Sequence, residues 1–153
     1  MGVFREKIRF PFEIKTTSVE ETKKFAKMLG EAVFPFECIA LFGGMGAGKT
    51  AFVSGFSKAF NISHLVCSPT FSIVNEYIYE ANKKLVHCDM YRISSEQDLY
   101  GVGFFDILKD ENAIVLVEWS ENIIEFLPKN YVRVELEILD EEKRRIFVDL
   151  EKC

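Results

Sequence analysis

The chain has 153 residues, 48% hydrophobic and 28% charged, with a net charge of −5; that length and balance suit one globular domain, 1–153, with one core and no separate substrate domain. The acidic balance argues against bulk nucleic-acid binding by the isolated chain, because neutralising phosphates needs a basic field. No apolar run approaches the ~18 residues of a membrane span, Met1 to Lys7 lack the apolar core of a signal peptide, and Glu6 stands where myristoylation needs Ser or Thr.

Ile8 to Ile14 reads as an extended start. Ser18 supplies an N-cap oxygen and Glu21, three residues on, the second half of a capping box. Phe25, Ala26, Met28, Leu29, Ala32 and Val33 then follow helical spacing, with a break expected at Gly30 or Pro35. Glu37 to Phe42 is a short apolar run, expected as a buried strand, and a glycine-rich loop follows it. Ala51 to Phe60 returns to a helical pattern, with Phe52, Val53, Phe56 and Phe60 on nearby faces.

Leu65 to Cys67, Phe71 to Tyr79 and Lys84 to Cys88 are expected strands, and Ser95 to Leu99 opens a short helix that ends near Gly101 and Gly103. Ala113 to Val117 is an apolar run closed by Glu118. The tail alternates: Val132, Val134, Leu136 and Ile138 face one side, Asp140 to Lys143 turn, and Ile146, Val148 and Leu150 return on the same side. That is a half-exposed antiparallel hairpin. The expected architecture is an α/β, P-loop NTPase-type three-layer sandwich whose mixed sheet is parallel near the loop and ends in a C-terminal antiparallel hairpin. Four cysteines, Cys38, Cys67, Cys88 and Cys153, form no CxxC pair and no zinc spacing. Free thiols and a reducing, cytoplasmic setting are expected.

Gly43-Gly44-Met45-Gly46-Ala47-Gly48-Lys49-Thr50 fits G-x-x-x-x-G-K-[ST] in full. Glycines let successive backbone N–H groups turn inward onto phosphates, and the helix that follows adds the positive end of its dipole. Lys49 reaches the β- and γ-phosphates as a point charge, and the Thr50 hydroxyl is a hard ligand for Mg²⁺. Chance produces such a match in roughly 0.5% of chains of this length, and the strand before and helix after make chance rarer still. Transfer or hydrolysis also needs a second acid for the metal and a group that places the nucleophile. Glu118 and Asp89 each close a candidate strand; the plainer reading of each is a solvated carboxylate.

Beyond the loop the chain carries Ser68-Pro69-Thr70-Phe71, Glu76-Tyr77, His87-Cys88-Asp89-Met90-Tyr91-Arg92 and Val117-Glu118-Trp119. In that order and spacing it resembles the TsaE (YjeE) family, the bacterial ATPases of tRNA threonylcarbamoyladenosine synthesis, from about Ser18 to the C-terminal hairpin. The resemblance implies a weak ATPase acting with TsaD and TsaB. Together these place a threonylcarbamoyl group on the adenosine beside the anticodon of tRNAs reading codons that begin with A. The transfer chemistry belongs to TsaD, and any tRNA contact is through the complex.

It further implies that Gly43, Met45, Gly46, Ala47, Gly48, Lys49 and Thr50 line ATP, that Thr50 and Glu118 hold Mg²⁺, and that Lys49, Asp89 and Glu118 serve hydrolysis. Trp119 falls beside the nucleotide, Thr70 in a switch-like segment that senses the γ-phosphate, and Thr17 near the adenine. Read singly, Ser68-Pro69 is also a turn, Trp119 a core residue, His87 a structural hydrogen-bonding residue, and Tyr91 and Arg92 packing and a surface charge. Ala51 departs from the family, where a second Thr is common, as do Met45 for Leu and Cys88 for an aromatic.

Two rivals share the loop. A small kinase moving the γ-phosphate to a metabolite needs several arginine forks around the phosphates, and between Arg9 and Arg133 the chain has only Arg92. A GTP-reading module carries Asn-Lys-x-Asp, and Asn82-Lys83-Lys84-Leu85 lacks the acid.

Overall fold

Cys38–Phe42 is buried at every position, as an apolar run must be when a layer covers each face of its strand. The structure, a computed structural model, describes residues 9–32, 37–62 and 73–151. The elements in chain order are β1 (Phe12–Thr16), α1 (Val19–Ala32), β2 (Cys38–Phe42), α2 (Lys49–Lys58), β3 (Val74–Glu80), β4 (Lys83–Asp89), α3 (Glu96–Gly101), α4 (Phe104–Leu108), β5 (Ala113–Glu118), a 3₁₀ segment (Ser120–Phe126), β6 (Tyr131–Ile138) and β7 (Arg144–Glu151). The expected strand at Leu65 to Cys67 and the Ser68 to Phe71 motif lie outside the described residues, as do Cys67 and Cys153.

The strands form one seven-stranded sheet in the order β1-β7-β6-β2-β5-β4-β3. β2 is parallel to β5 and β6, and β4 is parallel to β5. Both edges are antiparallel, through β3 on β4 and β1 on β7, and β6 with β7 forms the expected hairpin. The P-loop NTPase-type α/β fold read from the sequence is therefore the fold observed.

Alternation along the strands sorts the core into two layers. Ile114 and Leu116 of β5, with Leu85 of β4, pack on the side of α1 and α2. Ala113, Val115 and Val117 face the other way, with Val86 and Cys88, toward Leu99, Phe104 and Ile123. The Cys38 and Cys88 thiols are buried and free. Burial pushes the Cys38 thiol up to about 12 and raises that of Cys88 as well, with smaller contributions from Cys38 and Glu76. Both are inert packing groups. No helix among the described residues is long and apolar enough to cross a membrane.

α1 begins as the capping pattern predicts, with the Glu21 N–H donating to Ser18 Oγ at 3.1 Å. The Glu21 carboxylate reaches back one residue further than a capping box requires, accepting from the N–H and hydroxyl of Thr17 at 2.5 and 2.7 Å. Those two bonds hold its carboxyl below the usual range. The helix passes through Gly30 to Ala32, so Gly30 is no break. Glycine is needed there for contact: a Cβ would stand 2.8 Å from Ala59 Cβ and 2.9 Å from the Phe56 carbonyl oxygen. Gly55 on α2 is tighter, with a Cβ only 2.3 Å from the Lys23 carbonyl oxygen.

The two helices thus cross backbone to backbone, and α2 presses Phe52 and Phe56, both fully buried, onto the sheet. Each such burial contributes about 1.5–3 kcal/mol. This docking sets where the start of α2, and therefore the glycine loop, stands above the strand ends. Gly55→Ala is expected to destabilise the protein by about 1–3 kcal/mol through overpacking, read as a lower urea midpoint. An unchanged midpoint would mean that α1 and α2 do not cross this closely.

Candidate functional site

Glu118 and Asp89 are neighbours because of the sheet order. They are paired in register on adjacent parallel strands, at the carboxyl ends where ligands bind in open α/β sheets. Both follow the alternation that turns Leu116 and Leu85 toward α2, so both carboxylates face the glycine loop. His87, two residues before Asp89, shares that face. Its Nε2–H donates to Glu118 Oε2 at 2.5 Å, and no hydrogen-bond partner for its Nδ1 exists among the described residues. His87 is 3% exposed and Glu118 8%.

The loop leads directly into α2. Gly48 takes φ 102°, which only glycine adopts without strain, and swings the chain so that the N-terminus of α2 opens on a cleft. Met45 at the crest is 74% exposed, while Lys49 is 6% exposed. The Lys49 ammonium donates to the Gly43 carbonyl and lies 3.2 Å from the Trp119 ring centroid, well within cation–π range. Burial holds this ammonium below the ordinary lysine range, and the fields of Glu121, Glu118 and Asp89 pull it back up.

Trp119 is half-buried, packed against the second core layer and also lining the cleft. It sits at φ 57°, ψ 42°, a left-handed conformation that costs a bulky residue roughly 1–2 kcal/mol. That turn carries its ring from the end of β5 over Lys49. Neighbouring bonds hold the turn in place. Ser120 Oγ donates to the Val117 carbonyl at 3.0 Å, and Asn122 Nδ2 to the carbonyls of Met90 and Tyr91 at 3.0 and 3.3 Å. Tyr91 packs its ring on Trp119 with centroids 4.9 Å apart. The Gly43 N–H donates to Glu121 Oε2 at 3.2 Å, tying the loop's first residue to the same turn.

The cleft enclosed by these segments measures about 670 Å³, and Met45, Gly46, Ala47, Gly48, Lys49, Thr50, Asp89, Glu118 and Trp119 all line it, a size in the range of about 300–1,000 Å³ for small-molecule sites. Ala51, His87, Tyr91 and Arg92 also line it, as do Val19 and Lys23 of α1. Gly43 lies behind the cleft as the carbonyl partner of Lys49. Thr17 is not in the lining; its hydroxyl is engaged by Glu21. Thr70 lies outside the described residues.

Thr50 and Glu118 offer two hard oxygens. Among the described residues no three His, Cys, Asp or Glu converge as a metal cage. Mg²⁺ characteristically takes one or two protein ligands and completes its shell with phosphate oxygens and water, so the donor set fits a Mg²⁺ that arrives with a polyphosphate. The sequence reading gave His87 as a structural hydrogen-bonding residue but not its partner Glu118, and it missed Glu121 and Arg144, which bonds to the loop from β7. None has a local signal, because each partner lies far away in the chain.

A family model described as threonylcarbamoyl adenosine biosynthesis protein TsaE matches residues 16–146. The tRNA threonylcarbamoyladenosine biosynthesis protein TsaE of Rickettsia felis is 39% identical over 126 residues, 82% of this chain and 72% of that one. The protein of the same description from Bacillus subtilis is 34% identical over 132 residues, 86% of this chain and 81% of its own. The crystal structure of Bacillus subtilis YdiB superposes with a TM-score of 0.69 at 30% identity, covering 93% of this chain and 88% of that one.

The His87–Glu118 pair carries a stability expectation. Glu118→Ala leaves a ring N–H without its acceptor in a 3% exposed site, at a cost of about 1–3 kcal/mol. Asp89→Asn keeps an oxygen for the Tyr91 N–H, and is expected to stay within about 0.5 kcal/mol of the parent. Urea denaturation of both variants reads the difference; equal losses would contradict the pairing.

Proposed function

The chain belongs to the TsaE family, and from that premise we propose that it is the Mg²⁺-dependent ATPase subunit of tRNA threonylcarbamoyladenosine synthesis. In this reading it acts in the cytoplasm with TsaD and TsaB in threonylcarbamoylation of the adenosine beside the anticodon in tRNAs reading codons that begin with A. TsaD carries the transfer, and ATP hydrolysis on this chain resets the complex. The observation that carries the proposal is the convergence of Lys49 and Thr50 with Glu118 and Asp89 around one cleft.

The residues divide the work by their chemistry. Backbone N–H groups of the loop and the N-terminus of α2 receive the phosphates. Lys49 leaves the Gly43 carbonyl and the Trp119 ring to neutralise the β- and γ-phosphates. Thr50 and Glu118 would hold Mg²⁺, which when bound would offset the charge that develops on the phosphates. His87 fixes the direction of the Glu118 carboxylate through its Nε2–H, as outer partners of metal ligands do. Asp89, beside Glu118 on the next strand, orients the attacking water. Trp119 packs against the nucleotide, Thr70 senses the γ-phosphate, and Thr17 is assigned to the adenine end.

The kinase alternative asks for arginine forks on the transferring group. Among the described residues lining the cleft, Arg92 is the one arginine, which favours hydrolysis over transfer.

Lys49→Ala is expected to abolish nucleotide binding. Asp89→Ala and Glu118→Ala are expected to lose hydrolysis by about 10²-fold or more while retaining binding. Turnover is expected to be slow alone, to rise with TsaD and TsaB, and to favour ATP over GTP, all measured as phosphate release. Turnover indifferent to the partners, or phosphate appearing on a small acceptor, would overturn the assignment in favour of a kinase or an unrelated ATPase.

A further inference from the structure

Arg144 opens β7, 97 residues from Ala47 in the chain, yet its guanidinium lies against the crest of the glycine loop. Nε donates to the Ala47 carbonyl at 3.0 Å and Nη2 to the Gly46 carbonyl at 3.0 Å. Nη1 donates into its own hairpin turn, to the carbonyls of Asp140, Glu141 and Lys143 at 2.7, 3.2 and 2.8 Å. All these acceptors are backbone oxygens, so the planar fork joins two main-chain segments. Nε would stand 3.6 Å from a Cβ at Gly48, which places the group directly behind the residue that starts α2.

We propose that Arg144 is a positioning residue for the phosphate loop, holding its peptide planes from the side away from the ligand. The proposal rests on the ATP reading of that loop. Across a trans peptide the carbonyl and the following N–H point in opposite directions. Anchoring the carbonyls of Gly46 and Ala47 on one side therefore fixes the peptide planes that carry the Ala47 N–H, itself bonded to the Gly44 carbonyl, and the Gly48 N–H, which is left to face the ligand.

The loop needs an external anchor. Gly43, Gly46 and Gly48 all take positive φ, and glycine backbone loses more freedom on ordering than any other. The Ala47 N–H closes a turn onto the Gly44 carbonyl at 3.1 Å, a single local bond. Arg144 supplies order from outside, and order present before binding is affinity retained at binding. The fork is what matters here: a lysine ammonium keeps the charge but lacks the fixed planar donors that reach both loop carbonyls and the turn together.

The test compares the parent chain with Arg144→Lys and Arg144→Gln. MgADP, which resists turnover, is titrated by calorimetry; folding is followed by circular dichroism, and amide hydrogen exchange is read at residues 46–49. Both variants are expected to bind MgADP about tenfold or more weakly, the equivalent of one or two net hydrogen bonds, while remaining folded at the assay temperature. Exchange at residues 46–49 is expected to quicken. Parent-like affinity in Arg144→Lys would show that charge alone acts and overturn the positioning role. Unchanged affinity in both variants with a lowered melting temperature would reduce Arg144 to a staple of the hairpin. Failure of the parent itself to bind MgADP would instead overturn the nucleotide reading, and the proposal with it.

Discussion

A buried lysine, here Lys49 at 6% exposure, needs its charge compensated by what surrounds it, because an unpaired charge drawn out of water is costly. Lys49 meets that demand with groups drawn from three separate segments. The loop contributes the Gly43 carbonyl, the turn after β5 contributes the Trp119 ring, and Glu121, Glu118 and Asp89 contribute the negative field. Much of the local architecture serves this arrangement. The left-handed Trp119 is tolerated because it delivers the ring, and the Gly43–Glu121 bond holds the loop against that turn. On the proposed function this charge is poised for exchange: a polyphosphate entering the cleft would offer the ammonium a stronger partner than a carbonyl and an indole face.

The parts of this account that are local in the chain were legible before the fold was. The loop is a contiguous pattern, β5 is a short apolar run with its acid at the end, and the hairpin of β6 and β7 announces itself by alternation across a polar turn. Such signals need only backbone geometry and a period of two or four. Gly30 misled because glycine usually ends helices, whereas here it marks a close crossing whose partner, α2, is invisible from α1 alone. Ser95 to Leu99 was read as one short helix, and α4 after Gly103 was not foreseen, since five residues are too few to show a period.

The rest of the site depends on strand order. Glu118 and Asp89 become neighbours only once β5 lies beside β4 in register, and His87 acquires its partner by the same pairing. Arg144 contacts the loop only because β6 returns next to β2 and β7 next to β6. Trp119 was expected beside the nucleotide on resemblance alone; its place over Lys49 follows from a turn that no propensity predicts for tryptophan. The carboxylates, the aromatic ring and the arginine are therefore properties of the topology, while the loop is a property of the sequence.

The central claim is that the Lys49 ammonium is held in reserve for the phosphates of ATP. Its most direct test is a crystal structure of this chain with Mg²⁺ and a non-hydrolysable ATP analogue. The account predicts that Lys49 has left the Trp119 ring and the Gly43 carbonyl for the β- and γ-phosphates, with Mg²⁺ on the Thr50 hydroxyl and the Glu118 carboxylate beside it. A structure in which Lys49 stays on the indole while the analogue binds elsewhere would contradict it.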